Sequence, residues 1–159
     1  MNDAWDSFEW LSTNGEKFGA DTSRIIVGGI SAGAGLAASI IAKHYALISH
    51  DDKVPKPKVN VCGQLLCIPW LIHPDNHPFS KEAISSFQQN VDAPVLPFPL
   101  LRLFTDLLGA EDPKDPTLNV ALLEDQKISD LPKASFLVAG QDMLRDEGLL
   151  WAERLKNHG

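Results

Sequence analysis

Arg24-Ile-Ile-Val-Gly-Gly-Ile-Ser-Ala-Gly-Ala-Gly35 decides how the rest of the chain is read. Ile25, Ile26 and Val27 form a short β-branched run of the kind that makes a buried parallel strand. Leu36 to Ser49 (LAASIIAKHYALIS) spaces Ala, Ile and Leu three and four residues apart, the pattern of a helix. Between them, Gly29-x-Ser31-x-Gly33 has the spacing of a nucleophile elbow, a tight strand-to-helix turn that holds a serine strained and exposed. Flanking glycines let two backbone segments approach where a Cβ would clash, and one such position can need a positive φ. The serine falls at a helix N-terminus, where free N–H groups favour negative charge developing on an attacked carbonyl. A Gly-x-Ser-x-Gly arises by chance in roughly one chain in twenty of this length. The strand before it and the helix after it make this one a candidate for chemistry.

The 159 residues fall in the one-domain range, and 44% hydrophobic with 22% charged residues is ordinary for a globular protein. With 21 acidic against 14 basic residues the net charge is −7, which disfavours nucleic acid and anionic membranes as partners. No apolar run approaches the roughly 20 residues of a membrane span. Met1-Asn-Asp-Ala-Trp-Asp-Ser-Phe8 has neither the basic nor the apolar region of a secretory signal. Cys62 and Cys67 lie on opposite faces of one expected strand, poorly placed to bridge each other. Two free, buried thiols fit a reducing compartment, so a cytoplasmic location is expected.

Outward from the elbow, Asn2 or Asp3 can cap a first helix with Ala4, Trp5, Phe8 and Leu11 as its apolar stripe, ended by Asn14-Gly15. His50 to Lys58 reads as a charged, proline-bearing loop. Val59 to Ile68 is a second strand closed by Pro69, Lys133 to Gly140 a third, and Leu144 to Asn157 a final helix. From 71 to 130 prolines recur with short helical patterns between them, the best being Leu100 to Leu108. Three apolar strands alternating with helices predict a parallel α/β sheet. The core is expected from 1–70 and 131–159, and 71–130 as a cap-like insertion. Three parallel strands leave both sheet edges open, so the chain reads as the middle of something larger.

Four separated segments together resemble the hormone-sensitive-lipase branch of the α/β-hydrolases. Asp21-Thr-Ser-Arg24-Ile leads into Gly29-Ile-Ser31-Ala-Gly33-Ala, and Leu65-Leu-Cys-Ile-Pro69-Trp70 is similar to that family's proline-ended strand. Asp130-Leu-Pro132 precedes the third strand, and Gly140-Gln-Asp142-Met-Leu-Arg-Asp146-Glu147-Gly148 resembles the acid-bearing loop and following helix. The resemblance spans nearly the whole chain. It implies a partial α/β-hydrolase fold, Ser31 as nucleophile, Asp142 as the acid that orients a histidine, and the Ala32 N–H as an oxyanion donor. It further implies a small-molecule ester as substrate and calls for no cofactor or metal. Asp142 can equally cap the last helix, and both roles are compatible. Asp146 and Glu147 are expected to serve that helix's first turn, where carboxylates suit the dipole.

The chain also departs from that pattern. A serine hydroxyl needs a base, and in this family the histidine follows the acid after one more strand. His158 is the only histidine after Asp142, and the intervening helix carries it about 20 Å away. His44 and His50 are expected at the surface, and His73 and His77, flanking Pro74-Asp75-Asn76, as a turn or hinge in preference to a metal site. The family's upstream His-Gly-Gly-Gly-type loop has no counterpart here. Both missing parts are expected beyond the termini, leaving this chain weak or inactive alone.

Two other functions fit parts of the pattern. A non-catalytic small-molecule binder is one, since the plant gibberellin receptors resemble this family without its base. A short-chain dehydrogenase is the other, through Gly29-x-x-x-Gly33-x-Gly35. That loop should be followed by a strand ending in an acid about 20 residues on. Asp51 and Asp52 stand there, but the helical pattern reaching Ser49 leaves no room for a strand, and Tyr45 leads to Ser49 where a lysine is required.

Overall fold

Three parallel strands carry the described part of the molecule, which in this computed structural model comprises residues 2–47, 59–82 and 84–158. Strand β1 is Ile25–Ile30, β2 is Val61–Cys67 and β3 is Ala134–Leu137, in the spatial order β1-β2-β3. Ile30 pairs with Cys67 and Cys67 with Leu137, so the last residues of all three strands are in line along one rim. β2 and β3 are each a few residues shorter than the sequence expectation, whereas β1 runs three residues past Val27.

Among the described residues five α-helices accompany them: α1 (Asn2–Asn14), α2 (Ala32–Ala42), α3 (Ser86–Gln89), α4 (Phe98–Leu108) and α5 (Arg145–His158). The break expected at Asn14-Gly15 is a change of pitch. A 3₁₀ turn over Gly15–Phe18 continues α1 until Gly19 stops it in the left-handed conformation, φ 82°. Helix α2 passes into a π-helical turn at Lys43–Leu47, and the expected helix end at Ser49 and the loop from His50 to Lys58 lie outside the described residues. Small residues let α2 pack on all sides: Ala34, Gly35, Ala37, Ala38, Ile40, Ile41 and Ala42 are all buried.

Trp5 and Phe8 of α1, the α2 face, Val61, Leu66 and Trp151 of α5 form one core. Leu71, Ile72, Val120, Ala121, Leu123 and Ile128 belong to it too, so both ends of the 71–130 stretch lie in the main core. The opposite sheet face is left bare by the described residues, with Ile26, Ile30, Leu65 and Leu137 each more than half exposed. Parallel strands that read as apolar on both faces are built to be covered on both.

Three burial expectations are corrected. Cys62 is exposed and Cys67 only half-buried; Cys62 falls at the register shift between β1 and β2, where Ile25 pairs with Val61 and Ile26 with Gly63. His44 is buried, its ring edge-on to Phe8 and Tyr45, because α1 lies over that end of α2. Glu147 is fully buried and does not face the helix N-terminus. No helix among the described residues is long and apolar enough to cross a membrane.

Candidate active site

Ser31 occupies the single residue between β1 and α2, with φ 54° and ψ −121°. A non-glycine residue at positive φ is uncommon and costs on the order of 1–3 kcal/mol, so surrounding contacts must hold it. They are backbone bonds. Ser31 N donates to Cys67 O at 2.9 Å, and Ser31 O accepts from Gly35 N at 3.0 Å and Trp70 N at 3.3 Å. A Cβ on Gly29 would collide with the Gly33 carbonyl and lie 2.7 Å from Ala34 N, so the strand can meet the helix only there without a side chain. Gly35 faces the Trp70 carbonyl in the same way, whereas a Cβ on Gly33 meets nothing within 4 Å.

The half-buried Ser31 makes no side-chain capping bond to α2, which leaves its hydroxyl for other partners. Ala32 opens that helix and is exposed; its amide is one of the first-turn donors that lack an intrahelical acceptor. The turn therefore presents a hydroxyl beside a free N–H at the positive end of a helix dipole.

Asp142 stands five residues past the end of β3, beyond the rim on which Ser31 follows β1, the two strands lying two spacings, about 10 Å, apart. Its Oδ1 accepts the Leu144 amide at 2.9 Å, a turn closing the approach to α5. The loop is held from the 71–130 stretch. Asn90 Nδ2 donates to Asp142 O at 2.9 Å, Ser86 Oγ donates to Met143 O at 2.7 Å, and Ser86 N donates to Asp146 Oδ2 at 2.6 Å. Burial pushes the Asp146 carboxyl up, but the Ser86 amide and the Arg145 guanidinium outweigh it and hold the group below its ordinary range.

The structure brings Ser31, Ala32 and Asp142 to one rim; His73 lines a cavity with Ala32, but none of the described histidines pairs with Asp142. His158 ends α5 and pairs with Asp125, Nε2 to Oδ2 at 3.5 Å. His44 lies thirteen residues along the helical segment from Ser31, about 20 Å. His73 caps a 3₁₀ turn at Pro74–Asn76, its Nδ1 accepting the Asp75 amide at 3.3 Å, and His77 is sealed against Phe87 with ring centroids 4.1 Å apart. No group of three metal-ligating side chains occurs among the described residues. His50, Asp51 and Asp52 lie outside them. The Tyr45 hydroxyl, weighed for a dehydrogenase, accepts the Val61 amide at 3.2 Å.

Beside Ala32 opens a cavity of about 280 Å³, walled by Gly35, Leu36, Trp70, His73 and Leu118 among others. Leu108 of α4 also lines it, but Phe98 and Phe104 of the same helix do not. Phe98 packs toward Phe87 with ring centroids 6.3 Å apart, and Phe104 is 46% exposed, because the buried stripe of α4 runs through Leu101 and Thr105. Two features have no signal in the sequence reading: Ile68, at positive φ (40°) where the chain leaves β2, and the buried Glu147.

A profile of the alpha/beta hydrolase fold matches residues 1–159. The chain is similar to Esterase LipI of Mycobacterium tuberculosis, 32% identical over 160 residues that cover 100% of this chain and 45% of that protein. Among solved structures it superposes on Vibralactone Cyclase with a TM-score of 0.84 at 28% identity, covering 99% of this chain and 44% of that one. It matches the Bacterial Heroin Esterase at 0.74 and 30%, covering 98% and 45%. The chain thus spans about half the length of the relatives it matches.

Proposed function

Because the chain belongs to the alpha/beta hydrolase fold family, we propose that it carries the nucleophile and acid of a serine hydrolase acting on carboxylic esters. Ser31 Oγ attacks the ester carbonyl, and the Ala32 amide donates to the oxyanion that forms. The tetrahedral species collapses with loss of the alcohol, which takes up the serine proton, and water then releases the acid from the acyl-enzyme. Asp142 orients the imidazole that relays the proton. Among the described residues no histidine pairs with Asp142, and the 159-residue chain alone is expected to turn over slowly or not at all. What supports the reading most is the backbone at Ser31: positive φ at a strand-to-helix turn, on the rim that also carries Asp142. The cavity beside Ala32, just below the roughly 300–1,000 Å³ of pockets for drug-sized ligands, suits a small apolar group of the ester.

Two measurements test this. A fluorophosphonate probe should label the chain at Ser31 by peptide mass mapping, and Ser31→Ala should abolish the label. Exogenous imidazole should raise p-nitrophenyl butyrate hydrolysis above the imidazole-only rate in the parent but not in Ser31→Ala. Equal imidazole-stimulated rates in the two proteins, with no label on Ser31, would sink the assignment.

A further inference from the structure

Glu147 is the only buried acidic side chain among the described residues. It lies in the first turn of α5, five residues past Asp142. Its Oε1 accepts the amides of Leu71 at 2.5 Å and Ile72 at 3.3 Å, where the chain has just left β2. Its Oε2 lies 3.6 Å from Nε2 of His77, whose side chain is also fully enclosed. Neither His77 nitrogen nor Glu147 Oε2 has a hydrogen-bond partner among the described residues. Trp70, immediately before Leu71, donates its amide to the Ser31 carbonyl. An unbroken path therefore runs from the Ser31 turn through Trp70 and Leu71 to the Glu147 carboxyl, and along α5 to Asp142.

The geometry points to Glu147 as a positioning residue, its carboxyl registering the serine turn against the acid loop through the Leu71 and Ile72 amides and the facing His77. This rests on the ester-hydrolase reading for its purpose, but not for its mechanics. The surroundings of the carboxyl favour its uncharged form. Burial pushes it well above its ordinary range, the Leu71 and Ile72 amides pull the other way, and the Asp142 and Asp146 charges add to the rise. Burial likewise pulls His77 down to about 4, against the opposing influence of Asp146. Asp146 itself is held by Arg145, Oδ1 to Nε at 2.8 Å. Burial thus favours the uncharged form of both groups, and an ionised Glu147 would place its charge beside two carboxylates.

Amide hydrogen exchange on the 159-residue chain, expressed as protection factors and referenced to α2, tests the register. In Glu147→Leu, protection at Leu71 and Ile72 should drop at least tenfold, and Leu144 in the acid loop should drop with them. Glu147→Gln keeps an acceptor and cannot ionise. It should hold all three within threefold of the parent at pH 7 and lack any loss of protection that ionisation of Glu147 causes in the parent as pH rises. Unchanged Leu144 protection in Glu147→Leu overturns the proposal, since the carboxyl would then tether only the segment after β2. So does an alkaline loss that persists in Glu147→Gln, and that comparison decides alone should Glu147→Leu fail to fold. Loss of fluorophosphonate labelling at Ser31 with this coupling intact would sink the hydrolase reading and leave the register standing.

Discussion

Ser31 stores strain that a glycine would not. Ser31→Gly should raise the stability of the chain by about 1 kcal/mol, read from the urea midpoint, while removing the group a fluorophosphonate would label. The two motif glycines should behave oppositely. Gly29→Ala drives a methyl into the Gly33 carbonyl and should cost more than about 2 kcal/mol, whereas Gly33→Ala meets open space and should be neutral or stabilising by up to about 1 kcal/mol. Ser31 and Gly29 were legible because a clash-free approach and a positive φ leave a mark on residue choice. Ile68 was not, since a β-branched side chain is among the least suited to φ 40° and its conformation is imposed by the bond from its amide to Leu137 O at 2.7 Å. Glu147 escaped as well, because a carboxylate in a first helical turn ordinarily means a dipole partner.

Between elements, the contact of α5 with the segment after β2 carries two titrations of opposite sign. His77 is depressed to about 4 from its ordinary 6.5, so the folded state holds fewer protons and stability is lost as pH falls from 6.5 toward 4. Glu147 is raised, so the folded state holds more protons and stability is lost as pH climbs above the ordinary carboxylate range. The two partly cancel in the parent. Glu147→Gln should therefore show a steeper rise in unfolding free energy between pH 4.5 and 6.5, His77→Phe a fall over the same range, and the double variant neither. Urea titrations at four pH values suffice, and identical slopes in all four proteins would refute the pairing. The strands and the long helices were readable from apolar period and length, but the burial of His73, His77 and Glu147 was not. Enclosure of polar side chains is decided by which distant segments meet, and the proline-rich 71–130 stretch has no period to reveal its contacts.

Across the whole molecule, the parallel sheet was legible because each strand is apolar on both sides. The same property leaves Ile26, Ile30, Leu65 and Leu137 facing outward on one side. Apolar patches of this kind promote association. Sedimentation velocity should show self-association rising with protein concentration, and Ile26→Lys with Leu65→Lys should suppress it at a cost of under about 1 kcal/mol, since neither is buried. A strictly monomeric parent at high concentration contradicts this. The order of elements along the chain and the rim shared by Ser31 and Asp142 could be anticipated. Which histidine serves them could not, because none of the described ones pairs with Asp142.

The cavity wall bears on how such a protein can diversify. Leu118 lines the cavity, and Val120 and Ala121, two and three positions on, sit at the centre of the core. Ser39 ties the two regions, its hydroxyl lying 2.5 Å from Thr117 O. Remodelling the wall at Leu118 would draw on the same stability margin that keeps the chain folded. Leu36 and Leu108, each partly open to solvent, carry no such penalty. Lineages exploring new ligands should therefore accumulate changes at those two leucines first, and a saturation library at Leu36 and Leu108 should keep far more folded members than one at Leu118.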